Sequence, residues 1–357
     1  MSVAVAVEAL SLTLGAFRLN KIDFTLARGE ILVVLGPNGS GKSVTLETIA
    51  GFHRPDAGRI VVAEREVTAL PPERRKIGLV VQNFGLFPHL SVAQNVAIGV
   101  RGNRATKVHN KDLLSYFGIA HLADRATAEL SAGEKQRVAL ARALASAPEL
   151  FMFDEPFSAL DAETRNQLRT ELKTFLRALA IPAIFVTHDH DEAMALADTV
   201  VVLRDGDIVQ SGTAAVIFNK PTNSFVARFV GVENILAARV AARSGNVLTF
   251  AVNGQMLHAI ASPDVQIRND TAGLAIRAER VAASAGANRA GVARTDNALQ
   301  GRVKALHVLG PLATIEIECG FSLKAYLLSP QVAAMGLAEG SAVTVQIPAN
   351  AIHVMTE

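Results

Sequence analysis

The 357-residue sequence contains no tryptophan, two tyrosines and one cysteine. A lone Cys319 excludes an intrachain disulfide, so the core must close without covalent staples, and a reducing compartment is the expected setting. So few Trp and Tyr rings leave little for stacking nucleic-acid bases. An excess of either charge is also missing: 35 Lys and Arg stand against 33 Asp and Glu, a net charge of +2. That balance excludes a polybasic nucleic-acid binder and an acidic tail protein. No uncharged apolar run reaches the roughly 18 residues of a membrane-spanning helix. The stretch MSVAVAVEALSL has no basic start and meets Glu8 early, so it is not expected to act as a signal peptide. What is plentiful is apolar side chain, 50% of the sequence and much of it alanine, which points to buried contacts with a partner.

At roughly 150 residues per domain, the length suggests two or three domains. Up to about residue 230, short apolar runs alternate with helical pattern. Strands are expected at Ile31–Leu35, Ile77–Val81, Leu150–Phe153, Ala183–Thr187 and Val200–Leu203, and helices at Ser43–Ala50, Glu134–Ala147 and Ala162–Leu179. Apolar strands separated by helices predict a parallel sheet covered on both faces. From about Asn234 helical periodicity fades, and short strand-like runs separated by Gly, Asn, Asp and Pro take over. This half reads as doubled: LAARVAARSGNVLTFAVNGQMLHAI (236–260) parallels LQGRVKALHVLGPLATIEIECGFSLKAYL (299–327), and each is followed by a further β pair. The copies are expected at about 233–285 and 296–357, joined by an Ala/Gly/Arg/Asn-rich linker, Ala282–Asp296. Residues 236–357 carry ten basic and eight acidic side chains, so this half is not basic either.

Three motifs carry chemistry. Gly36-Pro37-Asn38-Gly39-Ser40-Gly41-Lys42-Ser43 fits G-x-x-x-x-G-K-[ST] between an apolar strand and a helix. Its glycines let backbone N–H groups curl around phosphate oxygens at a helix N-terminus. Lys42 would then reach the outer phosphates and Ser43 would ligate Mg²⁺. Leu150-Phe-Met-Phe-Asp-Glu155 places two carboxylates at the C-terminal end of a buried strand, where open α/β sheets bind ligands. Asp154 is the expected Mg²⁺ partner, and Glu155 is placed to polarise an attacking water. Adjacent carboxylates repel, so ionising both calls for a cation nearby. Leu130-Ser-Ala-Gly-Glu134 is a capping box, Ser131 with Glu134, opening a helix. Ser131 and the Gly133 N–H also make it a second phosphate site. One nucleotide cannot use both sites if they lie far apart, so a dimer sandwiching ATP is the expectation.

The set Gly36–Ser43, Gln82, Leu130–Glu134, Asp154-Glu155, Ser158-Ala-Leu-Asp161 and His188 resembles the ATPase subunit of ATP-binding-cassette (ABC) importers over the first 230 or so residues. The resemblance implies an α/β P-loop cassette, a RecA-like core with a helical subdomain, over residues 1–232. It also implies a head-to-tail homodimer in which the phosphate loop of one copy and the Ser131 motif of the other enclose ATP. By the same likeness Gln82 senses Mg²⁺ and water, His188 contacts the γ-phosphate, and Asp161 braces the dimer interface. Phe84-Gly-Leu-Phe-Pro88 would cup a short helix of a polytopic membrane permease. A substrate-binding protein outside the membrane would be an indirect partner, the location would be peripheral on the cytoplasmic membrane face, and nucleic acid is not expected. The usual Leu-Ser-Gly-Gly-Gln signature is altered here to Ala132 and Glu134, and Phe17 is the ring nearest the expected adenine position. Residues 233–357 resemble the all-β, OB-like regulatory domain (TOBE/Mop-like) of molybdate/tungstate importers, which implies an oxyanion site with Arg302, Lys304 and Ser329 as candidates. Importers of sulfate, iron(III), polyamines and sugars share the cassette, so they remain alternatives for the cargo.

Overall fold

Runs of Val, Ile, Leu and Phe bounded by turn residues make strands when both faces of a sheet are covered. The structure, a computed structural model, describes residues 3–100, 110–158, 160–261, 267, 270–286 and 296–355. The chain divides into two compact units, 1–214 and 215–357.

In the first unit β1 (Val3–Leu14) and β2 (Phe17–Ala27) form an antiparallel hairpin, extended by β4 (Ala57–Val62) and β5 (Arg65–Glu66) into a sheet of order β2-β1-β4-β5. The strand–helix pattern alone does not announce this sheet. Its signal is local: alternating burial along β2, and Gly15-Ala16 joining the paired residues Leu14 and Phe17. The central sheet contains β3 (Ile31–Leu35), β6 (Ile77–Val80), β7 (Leu150–Asp154), β8 (Ala183–Thr187), β9 (Thr199–Arg204) and β10 (Asp207–Thr213), in the order β10-β9-β3-β8-β7-β6. All five strands expected from the sequence are here and pair in parallel, while β10 runs antiparallel on the edge. Every residue of β3 and β8 is buried. Helix α1 (Lys42–Ala50) ends at Gly51, which takes the left-handed conformation and returns its N–H to Glu47 and Thr48. Between β6 and β7 lie α2 (Val92–Gly99), α3 (Asn110–Tyr116) and α4 (Ala132–Ala145), with α2 and α3 packed on α4. Helices α5 (Ala162–Leu179) and α6 (His190–Leu196) follow β7 and β8. Helix α5 buries Leu168, Leu172, Phe175 and Leu176, one stripe at helical spacing.

The second unit opens with most of α7 (Ala214–Asn219) and α8 (Ser224–Phe229), and continues as antiparallel strands. The first copy supplies β11 (Asn234–Ser244), β12 (Val247–Val252), β13 (Gln255–Ile260), β14 (Thr271–Ile276) and β15 (Ala282–Ala285). The second supplies β16 (Asn297–Leu309), β17 (Leu312–Glu318), β18 (Ser322–Leu328), helix α9 (Ser329–Ala334), β19 (Ala342–Ile347) and β20 (His353–Met355). The sheets are β13-β12-β11-β14-β20 and β15-β19-β16-β17-β18. Each copy therefore lends its last strand to the other's sheet. Residues 282–285, expected as linker, form β15 instead, because Ala282–Ala285 pairs with Gln346–Val343 on β19. Residues 287–295 of that linker lie outside the described residues.

The doubling extends to side chains. Asn234 opens β11; its Nδ2 donates to the carbonyls of Ile276 (3.1 Å) and Lys324 (2.9 Å), and its Oδ1 accepts the Lys324 N–H (2.6 Å). Asn297 opens β16 and does the same to Ile347 (3.0 Å) and His258 (2.9 and 2.6 Å). Both amides are 3% exposed, so each latch is made where water cannot substitute. One core joins the two sheets, with Phe250, Leu257 and Leu274 from the first copy against Ile315, Leu323 and Val345 from the second. Cys319 belongs to it, and burial pushes its thiol up to about 11.

Replacing Asn297 with Ala strands backbone groups on His258 and Ile347, and should lower unfolding stability by about 3 kcal/mol. Urea denaturation followed by circular dichroism would test this; a loss below about 0.5 kcal/mol, the scale of an ordinary surface substitution, would show that the latch is dispensable.

Candidate functional site

The order β3-β8-β7 sends three neighbouring strand ends to one edge of the central sheet. The loop after β3, Gly36–Ser43, turns there into α1. A Cβ on Gly36 would stand 2.4 Å from the Leu203 carbonyl oxygen, so only glycine fits. Gly41 has φ +103°, and a Cβ there would meet the Phe17 ring at 2.5 Å. Phe17 thus packs on the loop's base. Among the described residues no side chain caps the N-terminus of α1, so its first N–H groups have no side-chain acceptor there. Lys42 is 6% exposed, and its Nζ donates to the carbonyls of Gly36 (2.9 Å) and Pro37 (3.0 Å). Burial pulls its pKa down, opposed by the charges of Glu155 and Asp154. The buried Ser40 hydroxyl has no partner among the described residues. Pro37, Asn38 and Gly39 form the more open rim, and Ser43 is exposed.

At the end of β7, Asp154 accepts from the Ser43 hydroxyl at 3.3 Å. Desolvation pushes the Asp154 carboxyl up, Ser43 pulls it down, and Glu155 and Glu47 push it up again. Glu155 sits at φ +45°, a left-handed conformation that costs a non-glycine residue about 1 kcal/mol or more. Its N–H is held by the Val186 carbonyl (2.9 Å) on β8. The side chain consequently turns to the edge, where Oε1 meets Nδ1 of His188 at 2.9 Å and Oε2 accepts from Gln82 Nε2 at 3.4 Å. Gln82 also reaches the Ser158 hydroxyl at 3.4 Å. Residues following β6, β7 and β8 are thereby brought together around one carboxylate.

The remaining candidates stand apart from that cluster. Ser131 caps α4 by accepting from the Glu134 N–H at 3.3 Å, and the Glu134 carboxylate takes the Ser131 N–H and hydroxyl, both at 2.8 Å. Those bonds hold the Glu134 pKa down. Gly133 faces Leu168 of α5 at ordinary distance. No hydrogen bond joins Ser131, Gly133 or Glu134 to Gly36–Ser43 among the described residues. Asp161 caps α5 through the Thr164 N–H (3.0 Å), which lowers its pKa, and is exposed. Ala159 of the Ser158–Asp161 stretch lies outside the described residues.

The apolar segment after Gln82 is only partly exposed, since Phe84 is buried while Phe87 is 40% exposed. Motif reading passes over what holds it. Fully buried Asn95 bonds Phe87 through both N–H (2.9 Å) and carbonyl (3.1 Å), and Arg142 donates to Gly85 (2.7 Å) and Phe84 (3.0 Å). A polar residue on an otherwise apolar helix face was the available signal. In the second unit Arg302 donates to the Gly340 carbonyl (3.1 Å), Lys304 pairs with Glu316 (2.7 Å), and Ser329 donates to the Gly310 carbonyl (2.6 Å). Arg302 lies opposite Glu318, whereas Ser329 follows Leu328, opposite Leu312 at the far end of the hairpin. At about 3.3 Å per residue that is on the order of 20 Å, so one chain does not assemble these three side chains.

A phosphate-binding loop, a strand-end carboxylate pair and a histidine on a parallel sheet define a P-loop ATPase. Residues 19–158 match the ABC transporter family and residues 274–355 the TOBE domain. The chain is 35% identical over 353 residues to the molybdate/tungstate import ATP-binding protein WtpC of Pyrococcus abyssi, covering 98% of this chain and 99% of that one. It is 45% identical over 240 residues to the spermidine/putrescine import ATP-binding protein PotA of Nitratidesulfovibrio vulgaris, 66% of this chain and 65% of that one. Among solved structures it is similar to cbiO1 of Clostridium perfringens, part of the ABC transporter complex cbiONQ, with TM-score 0.55 and 29% identity over 65% of this chain and 96% of that one. The chain belongs to the ATP-binding subunits of ABC transporters, carries a C-terminal TOBE domain, and is an ATP-hydrolysing enzyme.

The raised Asp154 pKa sets a pH dependence. The folded chain holds that proton more tightly than the unfolded chain, whose carboxyl titrates near 3.8. Its contribution is therefore most favourable below that value and is lost as pH rises. Asp154→Asn should raise the melting temperature of the nucleotide-free chain near pH 7, and the gain should shrink as pH falls toward 4. Differential scanning calorimetry across that range would check it; a variant less stable than the parent near pH 7 would contradict the assignment.

Proposed function

We propose that this chain is the ATPase subunit of an importer, working as a homodimer on the cytoplasmic membrane face and driving polytopic permease subunits fed by a substrate-binding protein. The cassette would span 1–232 and the regulatory domain 233–357. Among the described residues no helix is long and apolar enough to cross a membrane, and on this reading the partners supply the channel. The observation that carries the reading is Glu155, held between His188 and Gln82 beside the Lys42 loop.

The free N–H groups of the loop, Lys42 and the unpartnered Ser40 hydroxyl bind the ATP phosphates. Ser131 and Gly133 of the second copy close over the γ-phosphate, with Glu134 bracing Ser131 and Asp161 at the interface. Glu155 accepts a hydrogen bond from the attacking water and polarises it. His188 keeps that carboxylate and water in line and donates toward the γ-phosphate as charge builds. Asp154 beside the Ser43 hydroxyl is a hard-oxygen set that fits Mg²⁺, which Ser43, Asp154 and Gln82 would hold. When bound, Mg²⁺ neutralises charge on the phosphates. Positioning and electrostatics supply the catalysis.

Glu155→Gln should abolish turnover while ATP still binds and traps the closed dimer; His188→Ala should slow turnover by about 10²–10³-fold. Phosphate release and light scattering read these out. Parental turnover by Glu155→Gln would refute the role given to Glu155 in polarising the water.

For the cargo we infer molybdate or tungstate. Full-length similarity to WtpC supports this, against polyamine, iron(III), sulfate or sugar. A regulatory oxyanion site built from Arg302, Lys304 and Ser329 would need groups from two chains, given their separation within one. Calorimetric titration of the whole chain with molybdate, tungstate and sulfate discriminates. Heat with the first two supports the reading, heat with sulfate alone points to the sulfate alternative, and heat with none leaves the domain a structural dimerisation element.

A further inference from the structure

His188 is poorly packed: its side chain is 58% exposed. Its aim at Glu155 therefore depends on the backbone around it. Asp189, the next residue, is anchored three ways. Its Oδ1 accepts the N–H groups of Asp191 (2.8 Å) and Glu192 (3.1 Å), capping α6, and its own N–H donates to the Thr187 hydroxyl (3.0 Å). The remaining oxygen, Oδ2, faces Nη1 of Arg165 at 3.6 Å. Arg165 lies four residues beyond Asp161 on α5, and its Nη2 donates to the carbonyl of Leu160 at 2.8 Å. Its Nε is buried and has no acceptor among the described residues. A buried unmet N–H costs stability, so this placement is not one that stability alone would choose. Glu192, 4% exposed, packs behind the same loop; burial raises its pKa, and the Thr187 hydroxyl, Arg165 and Arg169 oppose that shift.

We propose that Arg165 is a positioning residue for hydrolysis, strapping the Leu160–Asp161 turn to Asp189 and so fixing where His188 stands against Glu155. The guanidinium hydrogen-bonds the Leu160 carbonyl through one nitrogen and ion-pairs Asp189 on the other loop at 3.6 Å through another, a span that a single ammonium does not offer. The two loops tied together are the one bearing Asp161 and the one bearing His188. A partner pressing on the first would thereby align the second. The proposal rests on the reading of Glu155 and His188 above.

The test is steady-state ATP hydrolysis by the full chain, comparing parent, Arg165→Gln, Arg165→Lys, Asp189→Asn and His188→Ala. Asparagine keeps the capping oxygen and removes only the charge. Arg165→Gln and Asp189→Asn should each lower kcat about tenfold with the KM for ATP unchanged. Arg165→Lys should recover part of the loss. In the His188→Ala background neither substitution should slow turnover further, because both act through His188; a merely structural defect would slow both backgrounds alike. Parental kcat in Arg165→Gln and Asp189→Asn, or equal losses in both backgrounds, would overturn the strap. If Arg165→Gln does not fold, Asp189→Asn decides alone. If His188→Ala itself turns over at the parental rate, the site reading fails instead.

Discussion

The site depends on one packing constraint: β3, β8 and β7 pair in parallel and in register inside a sheet covered on both faces. Parallel pairing sends all three strands the same way, so the turns that follow them converge at one edge. The side chains that line β3 and β8 are all buried, and a one-residue slip would carry polar turn residues into the core. Register and chemistry are therefore linked. Lys42, Asp154, Glu155 and His188 come from distant parts of the chain and meet because Leu35 pairs with Thr187 and Asp154 with Val186.

Much of this was legible in the sequence because the motifs are backbone requirements. Gly36 and Gly41 must be glycine for steric reasons, so the loop announces itself. The strands reveal themselves as short apolar runs, and Ser131 with Glu134 as a cap. The β1–β2 sheet escaped because its alternation is weaker than the strand–helix rhythm that follows it. Glu155's left-handed backbone was also invisible: nothing in Asp-Glu-Pro declares it, and it arises from the bond to Val186 on a neighbouring strand. Asn95, Arg142 and Arg165 stayed hidden for a common reason. Asn95 and Arg142 hold carbonyls of the segment after β6, and Arg165 joins the Leu160 carbonyl to a carboxylate on the loop after β8; such partners are known only once the chain is folded.

The second unit shows the opposite balance. Its doubling is plain in the sequence, yet the exchange of β15 and β20 is not, because a lent strand has the same alternation as a retained one. Exchange makes each copy incomplete alone, since the edge of each sheet is finished by the other copy's last strand. The paired Asn234 and Asn297 latches fix this arrangement by hydrogen bonding both N–H and carbonyl of a residue in the opposite sheet. Apolar residues at those positions would pack but would not specify which backbone stands opposite.

Electrostatics ties the argument back to the first unit. Lys42, Asp154 and Glu155 are a small, close-set group of one amine and two carboxyl groups. Lys42 is turned onto its own loop's carbonyls, and the carboxyl of Asp154 is pushed up by burial. On the proposed reading, an incoming polyphosphate would draw the ammonium outward and add negative charge, which a cation beside Asp154 and Ser43 would offset. On the reading proposed above, the site is suited to nucleotide together with a divalent ion.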